Sequence, residues 1–155
     1  MTTSQCSQSD ITEKNDDGII TVYSDVCNLP RVTAFVNARL ENIATRKEIL
    51  KIGMVIDELF TNIDSYGYAD KKGDITVRVD ISDDKNRVTL TFIDSGIPFN
   101  PLIEENPDMD RVKSKEQIGG LGIYMVKNTM DDMEYEYKNN QNIFTLTKRI
   151  GGTND

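Results

Sequence analysis

The sequence contains no histidine. That single absence removes histidine metal sites, Ser-His-Asp triads and histidine acid–base chemistry. Cysteine is scarce. The two present, Cys6 and Cys27, have no metal-type spacing and read as ordinary reduced thiols, with a disulfide as the lesser alternative. No apolar run approaches the roughly 20 residues needed to cross a bilayer. Residues 1–15 are polar and acidic and lack the basic start and apolar centre of a signal peptide, so a cytoplasmic location is expected. Clustered Lys and Arg are missing as well, and the net charge is −8. Proteins that bind duplexes neutralise phosphates with such clusters, so neither nucleic acid nor an anionic membrane is an expected partner. An acidic surface favours solubility and can meet a basic protein face.

What is present suits one globular domain. The 155 residues are 37% hydrophobic and 28% charged, enough to bury a core without staples. Residues 1–16 are rich in Ser, Thr, Gln and Asp and are expected to be loose, and residues 151–155 form a tail. Between them, 17–150 should fold as one unit. Ile19, Ile20, Val22 and Tyr23 suggest a strand. Asn28-Leu29-Pro30 reads as a helix start, because proline is tolerated in the first turn. Val32, Phe35, Val36, Leu40 and Ile43 then share a helical face. A stronger helix spans about 46–65, with Ile49, Ile52, Ile56, Leu59 and Ile63 at spacings of three and four. Alternation follows: Ile75, Val77, Val79 and Ile81 point one way and Thr76, Arg78 and Asp80 the other, and Val88, Leu90 and Phe92 alternate again after a polar turn. From Ser95 to Gln117 the periodicity stops, with Pro98, Pro101 and Pro107 breaking it. A loop of that length inside a compact domain is often a functional lid. A helix carrying Ile123, Val126 and Met130 and two last strands close the chain. The expected fold is α+β, a two-layer sandwich whose mixed, mostly antiparallel sheet is covered on one face by helices.

Three segments break the core-building pattern. Glu58 and Asn62 lie four apart on the second helix and therefore share a face. Asn62 could offer its carbonyl oxygen to Mg²⁺, which takes few protein ligands, and Glu58 could accept a proton from an attacking hydroxyl. Such a pair alone also suits a solvated helix face. Asp94-Ser95-Gly96 ends a strand. A carboxylate there could accept from an exocyclic amine, and Gly96 would let the backbone approach a flat ring, although Asp, Ser, Gly and Pro also favour a plain turn. Gly119-Gly120-Leu121-Gly122 opens a helix, where uncrowded N–H groups suit phosphate. The run lacks the Lys-Ser/Thr ending of a P-loop and does not follow a strand in a βαβ unit. By itself it could equally be a hinge.

Taken in order, these segments resemble the ATP-binding fold of sensor histidine kinases, type II topoisomerases and heat-shock ATPase chaperones. More closely, they resemble the anti-sigma-factor serine kinases of bacterial partner-switching systems. The resemblance covers about 18–150. It rests on Asp57-Glu58-Leu59-Phe60-Thr61-Asn62, on Asp94-Ser95-Gly96-Ile97-Pro98-Phe99-Asn100-Pro101, on Gly119-Gly120-Leu121-Gly122-Ile123-Tyr124-Met125-Val126, and on the ending Asn142-Ile143-Phe144-Thr145-Leu146-Thr147-Lys148-Arg149. It implies ATP and Mg²⁺ as cofactors. Asn62 would hold the metal and Glu58 would be the base. Asp94 would take the adenine amine with Gly96 and Ile97 beside the ring. Gly119, Gly120, Leu121 and Gly122 would shape the phosphate end, and Thr145 would join the adenine contact through water. Arg111 is favoured over Lys113 and Lys115 for the γ-phosphate, because a guanidinium can contact two oxygens at once. Two departures from the family pattern stand out. Tyr66 occupies a position where many relatives carry histidine, and the lid is acidic at Glu104, Glu105, Asp108 and Asp110.

The activity implied is phosphoryl transfer to a serine or threonine of a partner, by a homodimeric kinase that sequesters a sigma factor and phosphorylates its antagonist. A nucleotide-dependent protein-binding switch without transfer is the alternative, although pure binding does not require a base at Glu58. A sensor histidine kinase fragment ranks last, since the chain has no histidine to phosphorylate.

Overall fold

The computed structural model describes residues 11–14 (backbone only), 18–68, 72–103 and 121–151. One six-stranded sheet, in the order β1-β2-β3-β4-β6-β5, carries the fold. Its strands are β1 (Ile11–Lys14), β2 (Ile19–Tyr23), β3 (Asp74–Ile81), β4 (Arg87–Asp94), β5 (Asp132–Lys138) and β6 (Gln141–Arg149). Every described pairing is antiparallel. The α-helices among the described residues are α1 (Leu29–Leu40), α2 (Arg46–Asn62) and α3 (Leu121–Thr129).

The period-two pattern decides which face each strand buries. Ile75, Val77 and Val79 of β3, Val88, Leu90 and Phe92 of β4, and Phe144 and Leu146 of β6 are all buried. Against them pack Val32, Phe35, Val36 and Leu40 of α1, Ile52, Val55, Ile56, Leu59 and Phe60 of α2, and Ile123 and Val126 of α3. The opposite sheet face is polar: the Thr21 and Thr76 hydroxyls meet at 2.9 Å and those of Thr89 and Thr147 at 3.3 Å. This is the expected two-layer sandwich, with α2 wider on its buried side than the spacing rule alone indicated, since Val55 and Phe60 join the stripe.

Helix boundaries follow local chemistry. Pro30 sits in the first turn of α1, where a missing N–H costs nothing. α2 starts in a capping box. The Thr45 hydroxyl accepts from the Glu48 N–H at 3.1 Å, and the Glu48 carboxylate accepts from the Thr45 N–H at 2.8 Å. The same carboxylate oxygen takes the Gly151 N–H at 2.9 Å, tying the segment after β6 to the start of α2. Burial pushes the Glu48 carboxyl up, but the hydrogen bonds from Thr45 and Gly151 together hold it below its ordinary value. The β5–β6 hairpin turns on Asn139 and Asn140, both with positive φ (54° and 62°), as a tight two-residue turn requires.

Two expectations are corrected. Residues 11–14 are not loose: they add an edge strand, with Ile11 opposite Val22. The outer edge of β2 offers unpaired backbone groups, and the β-branched pair Ile11-Thr12 suits an extended ladder. Cys27 is not a free thiol but disulfide-bonded, and Cys6 lies outside the described residues.

Candidate functional site

The last turns of α2 set one wall of a cleft. Glu58 and Asn62 are half-buried on successive turns. Beyond Asn62 the helix loosens into a π turn, Ile63–Gly67, a feature found disproportionately at functional sites. The turn delivers Gly67 to the segment after β4, where its carbonyl accepts from the Ile97 N–H at 3.2 Å. Gly96 lies across it so tightly that a Cβ there would come within 2.5 Å of the Gly67 carbonyl oxygen. Gly96 is thus required by a backbone crossing, whereas the sequence reading gave it a ring contact.

Asp94 closes β4 at the floor of the cleft. Its pleat position matches Phe92, so its carboxylate points with the core face, and it is 6% exposed. Oδ1 accepts two hydrogen bonds at 2.9 Å, from the Gly96 N–H and from Asn142 Nδ2. No donor among the described residues reaches Oδ2. Burial pushes the Asp94 carboxyl above the ordinary carboxylate range, and the two bonds only partly offset this.

The cleft is lined by Leu59, Asn62, Ile63 and Gly67 on the α2 side, by Phe92, Asp94, Phe144 and Asn142 on the sheet, and by Ile97, Phe99, Pro101 and Tyr135. About 40 Å³ of it admits water, room for roughly three molecules. The 96–99 segment forms one wall, where Ile97 is 62% exposed and the Phe99 ring stacks on Tyr66 at 6.3 Å. Apolar walls around one carboxylate acceptor fit a flat, amine-bearing ring.

At the other end, α3 begins at Leu121, which is 40% exposed. Gly122 packs directly on α2: a methyl built there would overlap the Glu58 carboxylate. Glu58 and Asn62 make no hydrogen bond or ion pair with another described side chain, so both remain available. Among the described residues no cluster of three His, Cys, Asp or Glu could cage a metal. Mg²⁺ is usually held by one or two protein groups together with substrate phosphates, a donor set into which the half-buried Asn62 amide oxygen would fit.

Of the residues singled out from the sequence, Asn62, Asp94 and Ile97 share the cleft, and Gly122 meets Glu58 one turn before Asn62. Arg111, Gly119 and Gly120 lie outside the described residues. Thr145 is a correction. It lies on the opposite sheet face with Ile143, in a separate groove beside Leu102, Met133 and Glu134. The β6 side chain that reaches Asp94 is Asn142, which sequence reasoning missed along with Tyr135. The alternation held the signal: if Phe144 and Leu146 face the core, Asn142 does too and Thr145 does not.

Comparison with known proteins identifies the family. The family described as the histidine kinase-like ATPase domain matches residues 23–148. Similar curated proteins include the anti-sigma F factor of Thermoanaerobacter sp. (strain X514), 29% identical over 108 residues, covering 69% of this chain and 74% of the relative. The anti-sigma F factor of Clostridium acetobutylicum is 26% identical over 112 residues, 68% of this chain and 72% of that one. Among solved structures, the RsbU and RsbW domains of Rv1364c from Mycobacterium tuberculosis superpose with a TM-score of 0.55 at 20% identity, over 84% of this chain and 32% of that one. The histidine kinase domain from Erythrobacter litoralis EL346 gives a TM-score of 0.53 at 15% identity, over 80% of this chain and 60% of that one. The chain belongs to the histidine kinase-like ATPase domain family, and the kinship read from its motifs stands. Membership makes it an ATP-binding domain. No helix among the described residues is long and apolar enough to cross a membrane.

Proposed function

We propose that this protein is an ATP-dependent serine/threonine kinase that acts as an anti-sigma factor, binding a sigma factor and phosphorylating a protein antagonist that competes for it. The observation that carries the reading is the convergence of Asn62 and Asp94 on one cleft, with Gly122 pressed on Glu58 a single turn away. The anti-sigma F factors similar to this chain supply the biological direction.

Each residue takes a role that its setting permits. Asp94 Oδ2 accepts from the exocyclic amine of adenine, while Leu59, Ile63, Ile97 and Phe144 shield the ring from water. Asn62 would hold the magnesium ion, which neutralises phosphate charge. Gly122, in the first turn of α3, leaves room for the Glu58 carboxylate beside the phosphate end. Glu58 accepts the proton of the attacking serine or threonine hydroxyl as its oxygen bonds to the γ-phosphorus and ADP departs. Transfer of this kind depends mostly on positioning and electrostatics. Arg111 is proposed to contact the γ-phosphate, and we expect a cytoplasmic homodimer.

Incubation with radiolabelled ATP and each candidate partner tests the reading. The kinase predicts label on a partner serine or threonine, lost in Glu58→Ala. Tight ATP binding with no label on any partner would instead make the domain a nucleotide-dependent binding switch.

A further inference from the structure

Asn142 is the most fully engaged polar side chain of the cleft, and neither the metal, the base nor the phosphate accounts for it. It is 5% exposed and sits directly opposite Asp94 across the β4–β6 ladder. Its amide NH₂ donates to Asp94 Oδ1 and to the Ile97 carbonyl, both at 2.9 Å, with the Gly96 carbonyl further off at 3.4 Å. Its Oδ1 accepts from the Phe99 N–H at 3.1 Å and from the Tyr135 hydroxyl. An amide side chain has two N–H donors and one oxygen with two lone pairs, and here every one is used. The network fixes the orientation: turned over, the amide would set its oxygen against the Asp94 carboxylate and the Ile97 carbonyl, and its NH₂ against the Phe99 N–H.

This arrangement has a consequence at Asp94. With the Asn142 amide and the Gly96 N–H both on Oδ1, the carboxylate plane is set and Oδ2 is left without a donor among the described residues. Resting on the reading of Asp94 as the adenine contact, we propose that Asn142, braced by Tyr135, is a positioning residue that makes the cleft selective for a purine bearing a 6-amino group. The same amide ties the 97–99 wall to the sheet, so wall position and base recognition run through one side chain. A hydroxyl in its place has a single donor and could not hold both Asp94 and the Ile97 carbonyl.

The test compares Mg²⁺-dependent binding of ATP with that of purine riboside triphosphate, which lacks only the 6-amino group, by calorimetry on the full chain. Wild type should favour ATP by at least about tenfold, the loss of one charge-assisted hydrogen bond. In Asn142→Leu, similar in size but without hydrogen-bonding groups, that ratio should fall below about threefold, while affinity for the analogue changes little. Tyr135→Phe, which removes one hydroxyl from a half-buried ring, should lower the ratio by roughly two- to fivefold while the melting temperature falls by no more than about 4 °C. It keeps the test decisive if the Asn142 variant does not fold. A wild type that does not distinguish the two nucleotides defeats the adenine reading of Asp94 and this proposal with it. A wild type that does, with the ratio unchanged in the variants or both nucleotides weakened equally, leaves that reading standing and overturns the role of Asn142.

Discussion

Asp94→Asn separates the chemistry of the cleft from its architecture. The substitution is nearly isosteric, so it opens no cavity at this buried position, 6% exposed. The side-chain oxygen of the new amide can still accept from the Gly96 N–H and from Asn142, as Oδ1 does now. What changes is the other atom: an acceptor becomes an NH₂ donor facing the donor of an adenine amine. A hydrogen bond to a charged group contributes about 1.5–3 kcal/mol, so the Kd for ATP should rise roughly 10- to 150-fold, more if the opposed donors repel. The apo fold should respond the other way. Burial raises the Asp94 carboxyl above its unfolded value. Its contribution to stability is therefore full below the unfolded pKa of about 3.9 and is lost as pH rises through the folded value. Above that folded value the native fold must hold an ionised carboxylate, at a cost that the amide lacks. Apo Asp94→Asn should melt at the same temperature as wild type or higher, and any advantage should shrink as pH falls towards 4. Calorimetric titration with Mg-ATP and apo melting curves at pH 7 and pH 4.5 make the measurement. ATP affinity within twofold of wild type, or an apo variant destabilised by several kcal/mol, would refute the reasoning.

Other perturbations probe the remaining parts. Asn62→Ala should abolish Mg²⁺-dependent ATP binding yet leave apo melting nearly unchanged, because its half-buried amide holds no other described side chain; a loss of several kcal/mol in the apo protein would make Asn62 structural. Gly122→Ala should force the Glu58 carboxylate aside. The rate of partner phosphorylation should then fall on the order of a hundredfold, as misplacement of a reacting group by about 1 Å can produce, with the far-ultraviolet circular dichroism preserved. Glu48→Ala removes the capping box and the Gly151 tie; it should cost about 1 kcal/mol, or roughly 2–4 °C in melting temperature, with no effect on ATP affinity.

Much of this was legible in the residues because their physics is local. The α2 stripe, the β3–β4 alternation and the Pro30 helix start each follow from a periodicity or a single backbone constraint. The Asp94 carboxylate and the Glu58–Asn62 pair could be picked out because they interrupt those patterns. What escaped depended on contacts across the chain. Gly96 needs its small size because Gly67, twenty-nine positions earlier, is brought against it by a π turn, and no local pattern announces that crossing. The role of Asn142 needs both the β6 register and the 96–99 segment. Thr145 was favoured by family resemblance over the strand's own alternation, and the alternation was right. The edge strand Ile11–Lys14 was missed because its composition is that of a solvated segment, while the reason for its order lies in the open side of β2.

A crystal structure of the chain with Mg²⁺ and a non-hydrolysable ATP analogue bears most directly on the claim that three separate segments serve a single nucleotide. The account predicts the metal on Asn62, the 6-amino group on Asp94 Oδ2, and the phosphates beside Gly122 with Glu58 facing the terminal one. A nucleotide bound anywhere else, for instance in the groove beside Thr145 and Glu134 on the far side of the sheet, would contradict it.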